Sequence, residues 1–503
     1  MYSNKFLVVL IVITFSNVIV TIAQKNGKKP NIILIYTDQQ RFDTISKLGY
    51  DFMETPNLDR LIESGVAFNH SFVSAPVCVT ARWSLHTGTY STTHQAYTNH
   101  HEGVMPETSL PYELKTNGYT NALIGKNHSF LDEVDYDYRY DAPGYLSGKE
   151  KQRMVDTPQP GGLEDNPMFK KTNKTIDFIS ESKSNPFFIW LSYHHPHDPF
   201  TAPEPYFSMY ENAGIPEPVV EPEGLEGAGK PFRQIFHREN NDRLLPFDDE
   251  QTMLLRQIYY GMISLVDHEI GRLLNFLEDE GLRENTIIIF TSDHGDYLGD
   301  HHMYTKSPSM YDVLVRVPLI FSWPGHIQEN KISDELISQV DLMPTLLSFI
   351  DIPIPPQVQG KDLAPYLRGE NTGTIREVVY CEYGVPGPPF NRYRLEKLLP
   401  NYKENPINWA EGIPWEGNPI SMAGRFRMAR TLDWKYVEYQ GSDGELYNLK
   451  QDPNELHNLY NDPEYKAVQY FLKNQLNEWK KSLPGIERDK EDLATPFFEQ
   501  YLK

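Results

Sequence analysis

PNIILIYTD, residues 30–38, is a continuous run of apolar and mostly β-branched residues that ends in an acidic residue. Such runs are typical of strands buried on both faces of a parallel sheet. Further strand patterns occupy residues 66–73, 120–126, 186–193, 285–293 and 316–325. Helical patterns alternate with them at residues 55–65, 109–119, 249–281 and 341–350. This order predicts an α/β fold with a large mixed, mostly parallel sheet that is flanked by helices.

The character of the sequence changes after about Gly369. Residues 384–425 are rich in Pro, Gly, Trp and Arg, and WKYVEY and GELYNL then flank a Gly-rich turn, which predicts a β-hairpin. A last helix is predicted around residues 464–481. We therefore predict a main domain over residues 24–375 and a smaller C-terminal α+β subdomain over residues 376–503, with residues 384–425 as a substrate-contacting loop region.

The first 23 residues have the pattern of a secretory signal peptide. Lys5 precedes an apolar stretch from Phe6 to Val20, and small residues at Thr21 and Ala23 suit cleavage before Gln24. The alternative is a signal anchor that stays in the membrane. No later run is comparably apolar, so we expect a periplasmic or secreted protein without stable membrane association after cleavage. The net charge of −22 argues against general nucleic-acid binding.

Acidic and other polar residues follow two of the predicted strands directly. Asp38 and Gln39 end the first strand, and Asp293 and His294 end the strand of residues 285–293. Ligands in α/β sheets bind at the carboxyl ends of strands, so these four side chains are expected to converge. Oxygen-dominated ligands favour Ca²⁺ or Mg²⁺ over Zn²⁺. The structural alternative for each acid is a turn or helix cap.

Basic residues lie at other strand ends and in nearby loops. Lys126 and His128 follow one strand, His197 follows another within HHPHDP, and Lys306 lies in MYTKSPSMYD. Each alone is most simply a solvated surface group. Together they can surround a tetrahedral anion beside a metal, as enzymes of sulfuryl or phosphoryl transfer require.

Cys78 is one of only two cysteines, and it stands directly before a predicted helix in SAPVCVTARWSLHTG. A disulfide with Cys381 or two buried thiols would be the structural explanation. A helix N-terminus lowers the pKa of a thiol, which would suit nucleophilic catalysis. A hard metal and a ring of cations nevertheless suit an oxygen nucleophile better than a thiolate.

In combination these motifs resemble those of the type I, formylglycine-dependent sulfatases of the alkaline-phosphatase superfamily. The resemblance extends from Asn31 to about Leu459. The stretches that carry it, in chain order, are YTDQQR, CVTARWSLHTG, ALIGKNH, HHPHDP, TSDHGDYLGDH, TKSPSMYD, DLMPTLL and DGELYNLKQDPNELHNL. It implies an alkaline-phosphatase-like fold, a catalytic domain over residues 24–375 and the hydrolysis of sulfuric esters.

The resemblance further implies that Cys78 becomes 3-oxoalanine, also called formylglycine, through a formylglycine-generating or sulfatase-maturating enzyme. One hydroxyl of the hydrated aldehyde would attack sulfur and displace the alcohol, and the other would then expel sulfate. Asp38, Gln39, Asp293 and His294 would hold one Ca²⁺ together with residue 78.

Roles for the remaining catalytic residues also come from the resemblance. Arg82 would orient the diol, and Lys126 and Lys306 would bind sulfate oxygens. His128 would take the proton that triggers sulfate release. His197 would lie by the leaving oxygen as general acid or hydrogen-bond donor, together with Lys306.

Two positions depart from the common pattern of the family. Gln39 stands where many members have a second Asp; Gln also occurs there in phosphonate and phosphodiester hydrolases, which makes a hydrolase of that kind the alternative. Thr80 stands where the modification signature usually has Pro or Ala. Impaired conversion of Cys78 would leave a catalytically silent glycan-binding homologue.

Export and the aromatic, basic loop region favour a sulfated polysaccharide or its oligosaccharides as substrate. An algal polymer such as ulvan or carrageenan is preferred, followed by animal glycosaminoglycans. The candidate substrate contacts, for which a structural role is the alternative, are Trp83, His94, Tyr97, His100, His101, Arg392, Tyr393, Arg394, Trp409, Trp415, Arg425 and Arg427.

Overall fold

The computed structural model describes residues 28–99, 103–104, 107–129, 135–141, 157–307, 309–388, 391–393, 424–441, 443–491 and 493. The predicted signal peptide, most of the loop region of residues 384–425, and the candidates His100, His101, Arg394, Trp409 and Trp415 lie outside these residues. No helix within the described part combines the length and apolar composition that crossing a membrane requires.

The strands are β1 (Asn31–Asp38), β2 (Gly65–Phe72), β3 (Thr120–Gly125), β4 (Tyr138–Tyr140), β5 (Phe187–Pro196), β6 (Thr286–Ser292), β7 (Leu319–Ser322), β8 (Lys331–Ser338), β9 (Val379–Tyr383), β10 (Phe426–Arg430), β11 (Trp434–Tyr439) and β12 (Glu445–Asn448). The helices are α1 (Pro56–Glu63), α2 (Cys78–Thr87), α3 (Ser91–His94), α4 (Leu110–Thr116), α5 (Pro167–Ser182), α6 (Gly224–Gly227), α7 (Phe232–Leu244), α8 (Asp249–Asp279), α9 (Asp312–Val315), α10 (Leu342–Phe349), α11 (Ala364–Leu367) and α12 (Lys466–Ser482). Single 3-10 turns lie at Leu163–Asp165, Arg283–Asn285, Asp300–His302, Gln339–Asp341, Pro463–Tyr465 and Ile486–Lys490.

The larger sheet has eight strands in the order β4-β3-β5-β1-β6-β7-β2-β8. Neighbouring strands are parallel except at β7, which is antiparallel to both β6 and β2. The predicted large mixed, mostly parallel sheet is therefore confirmed. β1 lies between β5 and β6 in the middle of the sheet, where strands are covered on both faces.

Alternate residues of β1 belong to two separate cores. Ile32 and Leu34 pack on one face of the sheet with residues of α2, α4 and α10. Ile33 and Ile35 pack on the opposite face with residues of α1, α5 and α8. Because successive side chains of a strand point to opposite faces, a strand covered on both sides must be apolar throughout. This explains the continuous run at residues 30–38.

A second, antiparallel sheet has the order β12-β11-β10-β9. The predicted hairpin is present, with Trp434 opposite Asn448 in β11 and β12. Leu472 and Leu476 of α12 pack on one face of this sheet. The other face packs on residues of the main body such as Phe72. The C-terminal α+β prediction is thus confirmed as an architecture.

Cys381 lies in β9 and is fully buried in that second core. Both Cys78 and Cys381 have free thiols, so the disulfide alternative is wrong. Burial raises the pKa of the Cys381 thiol well above its ordinary value, which makes this thiol an inert core residue.

Candidate active site

Four adjacent strands of the larger sheet end at one edge with polar or charged residues. β3, β5, β1 and β6 are neighbours in that order. Lys126, His197, Asp38 and Asp293 are each the last residue of one of these strands or the residue that follows it. Parallel strands present their carboxyl ends on the same side, so the topology brings these four residues together.

Cys78 is the first residue of α2, and its side chain is fully buried. Its Sγ atom lies 3.2 Å from Nε2 of His294 and 3.7 Å from Oδ1 of Asp38. The ammonium groups of Lys306 and Lys126 approach the same sulfur at 3.4 and 3.9 Å. The thiol therefore occupies the middle of the group of residues predicted from the strand ends.

Arg82, one turn further along α2, orients the two carboxylates. Its Nη2 donates to Oδ2 of Asp38 at 3.1 Å and to Oδ2 of Asp293 at 2.9 Å. The Oδ1 atoms of the two acids remain directed at the centre of the site, 4.0 and 3.6 Å from Nε2 of His294. In each carboxylate, Oδ2 therefore binds the guanidinium of Arg82, and Oδ1 faces the centre of the site.

Arg82 itself is buried between aromatic rings and hydrogen-bond acceptors. Its guanidinium lies 5.0 Å from the ring centre of Tyr36 and 5.8 Å from that of Trp190. Nη1 donates to Oγ of Ser192 at 2.9 Å and to the backbone oxygen of Lys126 at 3.0 Å. Sequence reasoning missed Ser192, although a polar residue near the end of an otherwise apolar strand was a usable signal.

The charges of this cluster stabilise one another. Burial alone would raise the pKa of the Asp38 carboxyl, but Lys126, His197, Arg82 and Lys306 hold it well below its ordinary value. The guanidinium pKa of Arg82 is raised, because its pairing with Asp293 and Asp38 outweighs the effect of burial. Both acids are therefore carboxylates at neutral pH.

The donor set fits a hard divalent cation. Oxygens of Asp38 and Asp293, a nitrogen of His294 and the sulfur of Cys78 all lie within 4.8 Å of one another. Nδ1 of His294 is 2.9 Å from the backbone oxygen of Gly295, so its proton is on Nδ1 and the lone pair of Nε2 faces the site. Two carboxylates and an imidazole with its free nitrogen turned inward are groups that can hold a metal.

Gln39 adds an amide to this set. Its backbone N–H donates to Oδ1 of Asp293 at 3.0 Å, and its side-chain Oε1 accepts from Nζ of Lys306 at 3.1 Å. Its Nε2 donates to Oδ2 of Asp296 at 2.6 Å. Asp296 is fully buried, and burial raises its pKa to about 6. Asp296 is part of the TSDHGDYLGDH motif, but the sequence did not single it out.

Lys306 and His197 are in direct contact. Nζ of Lys306 lies 3.1 Å from Nε2 of His197, and Nδ1 of His197 lies 2.6 Å from the backbone oxygen of Asp198. Since that oxygen accepts a hydrogen bond from Nδ1–H, Nε2 of the neutral ring accepts a hydrogen bond from the ammonium. Burial and the charge of Lys306 both lower the pKa of His197.

Lys126 and His128 lie in the loop that follows β3. Gly125 has a φ of +109°, and a Cβ there would meet the backbone oxygen of Ser192 at 1.9 Å, so only glycine allows this close approach. Nζ of Lys126 donates to Oδ2 of Asp38 at 2.5 Å. Burial and the charge of Lys126 lower the pKa of His128 to about 3, so its imidazole is neutral at neutral pH.

Several predicted substrate contacts are buried and have partners within the protein. Trp83 and His94 are buried against each other, with ring centres 5.5 Å apart. Arg425 and Arg427 are buried and form ion pairs with Glu382 at 2.7 and 2.9 Å. The guanidinium of Arg425 lies 4.8 Å from the centre of the Tyr97 ring. These pairings give the four side chains and Tyr97 a structural explanation, and their contact with substrate stays a prediction.

Two candidates of the loop region remain accessible. Tyr393 is 76% exposed, and the guanidinium of Arg392 lies 4.9 Å from the Phe232 ring. The prediction that these residues contact substrate remains open for them.

Comparisons with known proteins agree with this geometry. A family model described as sulfatase matches residues 30–352, and a model of the C-terminal region of N-sulphoglucosamine sulphohydrolase matches residues 415–482. An arylsulfatase of Clostridium perfringens is 30% identical over 499 residues, covering 90% of this chain and 94% of the relative. An ulvan-active sulfatase of Formosa agariphila is 27% identical over 475 residues, covering 90% of this chain and 82% of the relative.

The fold also has solved counterparts. A phosphonate monoester hydrolase from Silicibacter pomeroyi superposes with a TM-score of 0.76 at 24% identity, covering 91% of this chain and 96% of that one. The sulfatase model spans more than half of the chain, and the relative from Clostridium perfringens covers nearly all of it. The chain therefore belongs to the sulfatase family of the alkaline-phosphatase superfamily, and it is a sulfuric ester hydrolase.

Proposed function

We propose that this protein is an exported, calcium-dependent sulfatase whose Cys78 is converted to formylglycine, and that it removes sulfate from a sulfated polysaccharide or its oligosaccharides. One observation carries the proposal. The sulfur of Cys78 lies within 4 Å of a carboxylate, an imidazole and two ammonium groups. That position suits a nucleophile that must face both a metal and an anionic substrate.

The chain's cations are arranged for a sulfate group at residue 78. Lys306 is almost fully buried, and Lys126 is largely so. The two lysines belong to separate loops, and the ammonium group of each lies within 4 Å of Sγ of Cys78. Two fixed positive charges in a site of low polarity stabilise the negative charge of sulfate oxygens more strongly than in water. Lys126 and Lys306 therefore bind and orient the sulfate.

Two proton transfers are needed, and neutral imidazoles take part in both. The proton for the leaving alcohol oxygen would come from the ammonium of Lys306, directly or by way of Nε2 of His197 at 3.1 Å, which leaves Lys306 as a neutral amine. His128, which is neutral because burial and the charge of Lys126 lower its pKa, would accept the proton of the residue 78 hydroxyl as sulfate is released. General acid–base assistance of this kind contributes about 10² to 10⁴ in rate.

Calcium would be held by Asp38, Gln39, Asp293 and His294, together with the modified residue 78. The ligand set of carboxylate and amide oxygens supports Ca²⁺ over Zn²⁺. When bound, the ion would supply positive charge beside the nucleophilic hydroxyl of residue 78. Stripping the purified enzyme with a chelator should remove activity, and adding calcium back should restore it more fully than adding zinc.

Conversion of Cys78 is tested by mass spectrometry of the peptide that contains it, prepared from the native host. Formylglycine is lighter than cysteine, because one oxygen replaces the sulfur and two hydrogens. The modified mass is expected, despite Thr80, since Arg82 of the signature is in place. An unmodified thiol in all of the protein would instead support a catalytically silent glycan-binding homologue.

The substrate class is supported by the relative from Formosa agariphila, which is named as an ulvan-active sulfatase. We propose an algal sulfated polysaccharide of the ulvan or carrageenan type. The test is a panel of defined sulfated oligosaccharides from algal and animal sources, with released sulfate as the readout. If only fragments of animal glycosaminoglycans are turned over, the algal substrate is wrong, although the protein is still a sulfatase.

A phosphonate or phosphodiester hydrolase is the second candidate, and Gln39 favours it. The amide removes one negative charge from the site relative to members with a second Asp. The solved phosphonate monoester hydrolase has the same overall fold. Sulfate and phosphodiester esters of one aryl alcohol should be compared by kcat/KM. A large preference for phosphorus would favour this candidate.

Export is proposed from the N-terminal pattern, and modification requires a maturating enzyme as partner. N-terminal sequencing of the protein from the periplasm or medium should give a chain that begins at Gln24. A chain that retains residues 1–23 in the membrane fraction would support the signal-anchor alternative.

A further inference from the structure

We propose that Asp296 is a positioning residue that holds the Gln39 amide with its oxygen turned towards the calcium site. This inference deepens the proposed function and rests on it. At Gln39 the sequence has an amide where many members of the family have a carboxylate. A carboxylate can bind a cation through either oxygen, whereas an amide can bind it through its single oxygen only. A glutamine in this place therefore needs its orientation to be specified.

The neighbours at the two ends of the amide specify that orientation. Oδ2 of Asp296 lies 2.6 Å from Nε2 of Gln39, and a carboxylate accepts hydrogen bonds. Nζ of Lys306 lies 3.1 Å from Oε1, and an ammonium only donates. A flipped amide would place its oxygen against the carboxylate and its NH₂ group against the ammonium. Both contacts would then be repulsive, so one orientation is strongly preferred.

Lys306 cannot perform this task alone in the working enzyme. It also contacts Sγ of Cys78 and Nε2 of His197, and it is the residue assigned to the sulfate oxygens. Once a substrate draws its ammonium away, the amide depends on the contact behind it. Asp296 lies on the side of Gln39 opposite to that ammonium, so its contact persists.

The surroundings of Asp296 indicate that its carboxylate is there to accept the hydrogen bond from the Gln39 amide. The side chain is fully buried, and among the described residues its carboxylate forms no ion pair, because the guanidinium of Arg41 donates to its backbone oxygen instead, at 3.3 Å. Its other oxygen, Oδ1, accepts from the backbone N–H of Leu298 at 2.8 Å. A buried carboxylate without a cationic partner is costly, and neutral amide donors compensate that cost only in part. Shaping the turn at Leu298 is the structural alternative.

A double-mutant cycle separates the two explanations. Calcium affinity is measured by calorimetry on calcium-stripped protein at about pH 8, for the wild type, Asp296→Asn, Gln39→Ala and the double variant. Asparagine keeps the volume of Asp296 but also carries donors, so the Gln39 amide is free to flip. We expect Asp296→Asn to weaken calcium binding about tenfold in the wild-type background and by less than about twofold in the Gln39→Ala background.

Asp300→Asn is the matched control. Asp300 is a buried acid of the same loop that pairs with Arg41 at 2.7 Å and does not contact Gln39. We expect it to lower Tm while calcium affinity stays within about twofold of the wild type. A similar loss of calcium affinity in both backgrounds of Asp296→Asn, or a fall in Tm with unchanged affinity, would overturn the inference.

A charge exchange provides a second measurement if Asp296→Asn folds poorly. Gln39→Glu alone places two carboxylates in contact and should bind calcium more weakly than the wild type. Gln39→Glu with Asp296→Asn places the amide behind the carboxylate, and calcium affinity should recover to at least the wild-type level. No recovery would contradict the inference. A wild-type protein that binds no calcium in any of these titrations would contradict the proposed function itself, and the inference with it.

Discussion

Proton placement at the active site depends on the contact between Lys306 and His197. Nδ1–H of His197 donates a hydrogen bond to the backbone oxygen of Asp198, and Nε2 faces the ammonium at 3.1 Å. In the proposed mechanism this pair supplies the proton for the leaving oxygen. A leaving oxygen that is a poor leaving group needs this proton, whereas an acidic phenol does not.

His197→Ala should therefore affect substrates unequally. We expect kcat/KM to fall about 10² to 10⁴-fold for a sulfated sugar and less than about tenfold for nitrophenyl sulfate, because general acid assistance matters most for basic leaving groups. His194→Ala is the control, since its ring lies 5.8 Å from that of His197 on the same segment. The control should change both substrates by the same factor. An equal loss for both substrates in His197→Ala would remove the general-acid role.

At the scale of single residues, the sequence predicted those site residues that directly follow an apolar strand. Asp38 and Asp293 stand at the visible ends of apolar runs, so their convergence could be predicted from parallel topology. Ser192 and Asp296 were missed because their roles depend on side-chain direction after the chain has folded. The enclosure of Arg425 by Glu382 is likewise invisible in a pattern, since the two residues are far apart in the chain.

At the scale of elements, α1 is capped by a different helix. Its N-cap residue, Thr55, makes no side-chain capping bond. Oδ1 of Asp267, from α8, instead accepts from the backbone N–H groups of Asn57 at 3.0 Å and Leu58 at 2.7 Å. The first turn of α1 therefore depends on α8 for its unpaired donors.

Asp267→Ala should lower stability while leaving the active site intact. Loss of the carboxylate leaves two N–H groups without this acceptor, which costs about 1 to 3 kcal/mol. Denaturant unfolding monitored by circular dichroism measures the effect. Glu278→Ala, which breaks the exposed pair with Arg60 across the same two helices, should cost less than about 1 kcal/mol. Equal losses in the two variants would contradict the capping role.

Central elements were predictable from sequence, and edge elements were not. β1, β5 and β6 are apolar runs because both of their faces are covered. β4 and β8 form the two edges of the larger sheet, and their polar residues gave no such run. β9 and β10 pair across a long intervening segment, so no local turn signal could reveal them.

At the scale of the whole molecule, the smaller sheet is joined to residues 221–230 of the main body by a buried group of charges. Glu445, at the start of β12, is almost fully buried. Lys230 lies 3.4 Å from Glu221 and also donates to the backbone oxygen of Glu455. Burial raises the pKa of Glu445 to about 7, and the nearby charge of Glu455 adds to the rise while Lys230 opposes it.

This junction makes stability depend on pH. Folded Glu445 keeps its proton up to about pH 7, whereas the unfolded chain releases it near the ordinary value of 4.5. The unfolded state binds fewer protons between these values, so the contribution of Glu445 to stability falls as pH rises through this window. Glu445→Gln should therefore raise the free energy of unfolding by about 2 to 3 kcal/mol at about pH 8 and by less than about 1 kcal/mol at about pH 5.

Denaturant titrations at the two pH values test this prediction. Glu438→Gln serves as the control, because its pair with Lys480 is partly exposed on the same small sheet. An identical stabilisation by Glu445→Gln at both pH values would contradict the assignment. Sequence analysis could anticipate two parts of the molecule but not this junction, because its members come from two distant stretches, residues 221–230 and 445–455. The boundary at residue 375 stays a prediction.

The enclosure of Cys78 has a consequence for biosynthesis. Its side chain has no exposed surface in the folded protein, and a carboxylate, an imidazole and two ammonium groups lie within 4 Å of its sulfur. If Cys78 is converted to formylglycine as proposed, we expect conversion while the segment around α2 is still extended, during or soon after translation. Protein that folds first would be trapped as an inert thiol form. Overproduction in a host should then yield a mixture of modified and unmodified protein. Its specific activity should depend on the relative rates of modification and folding.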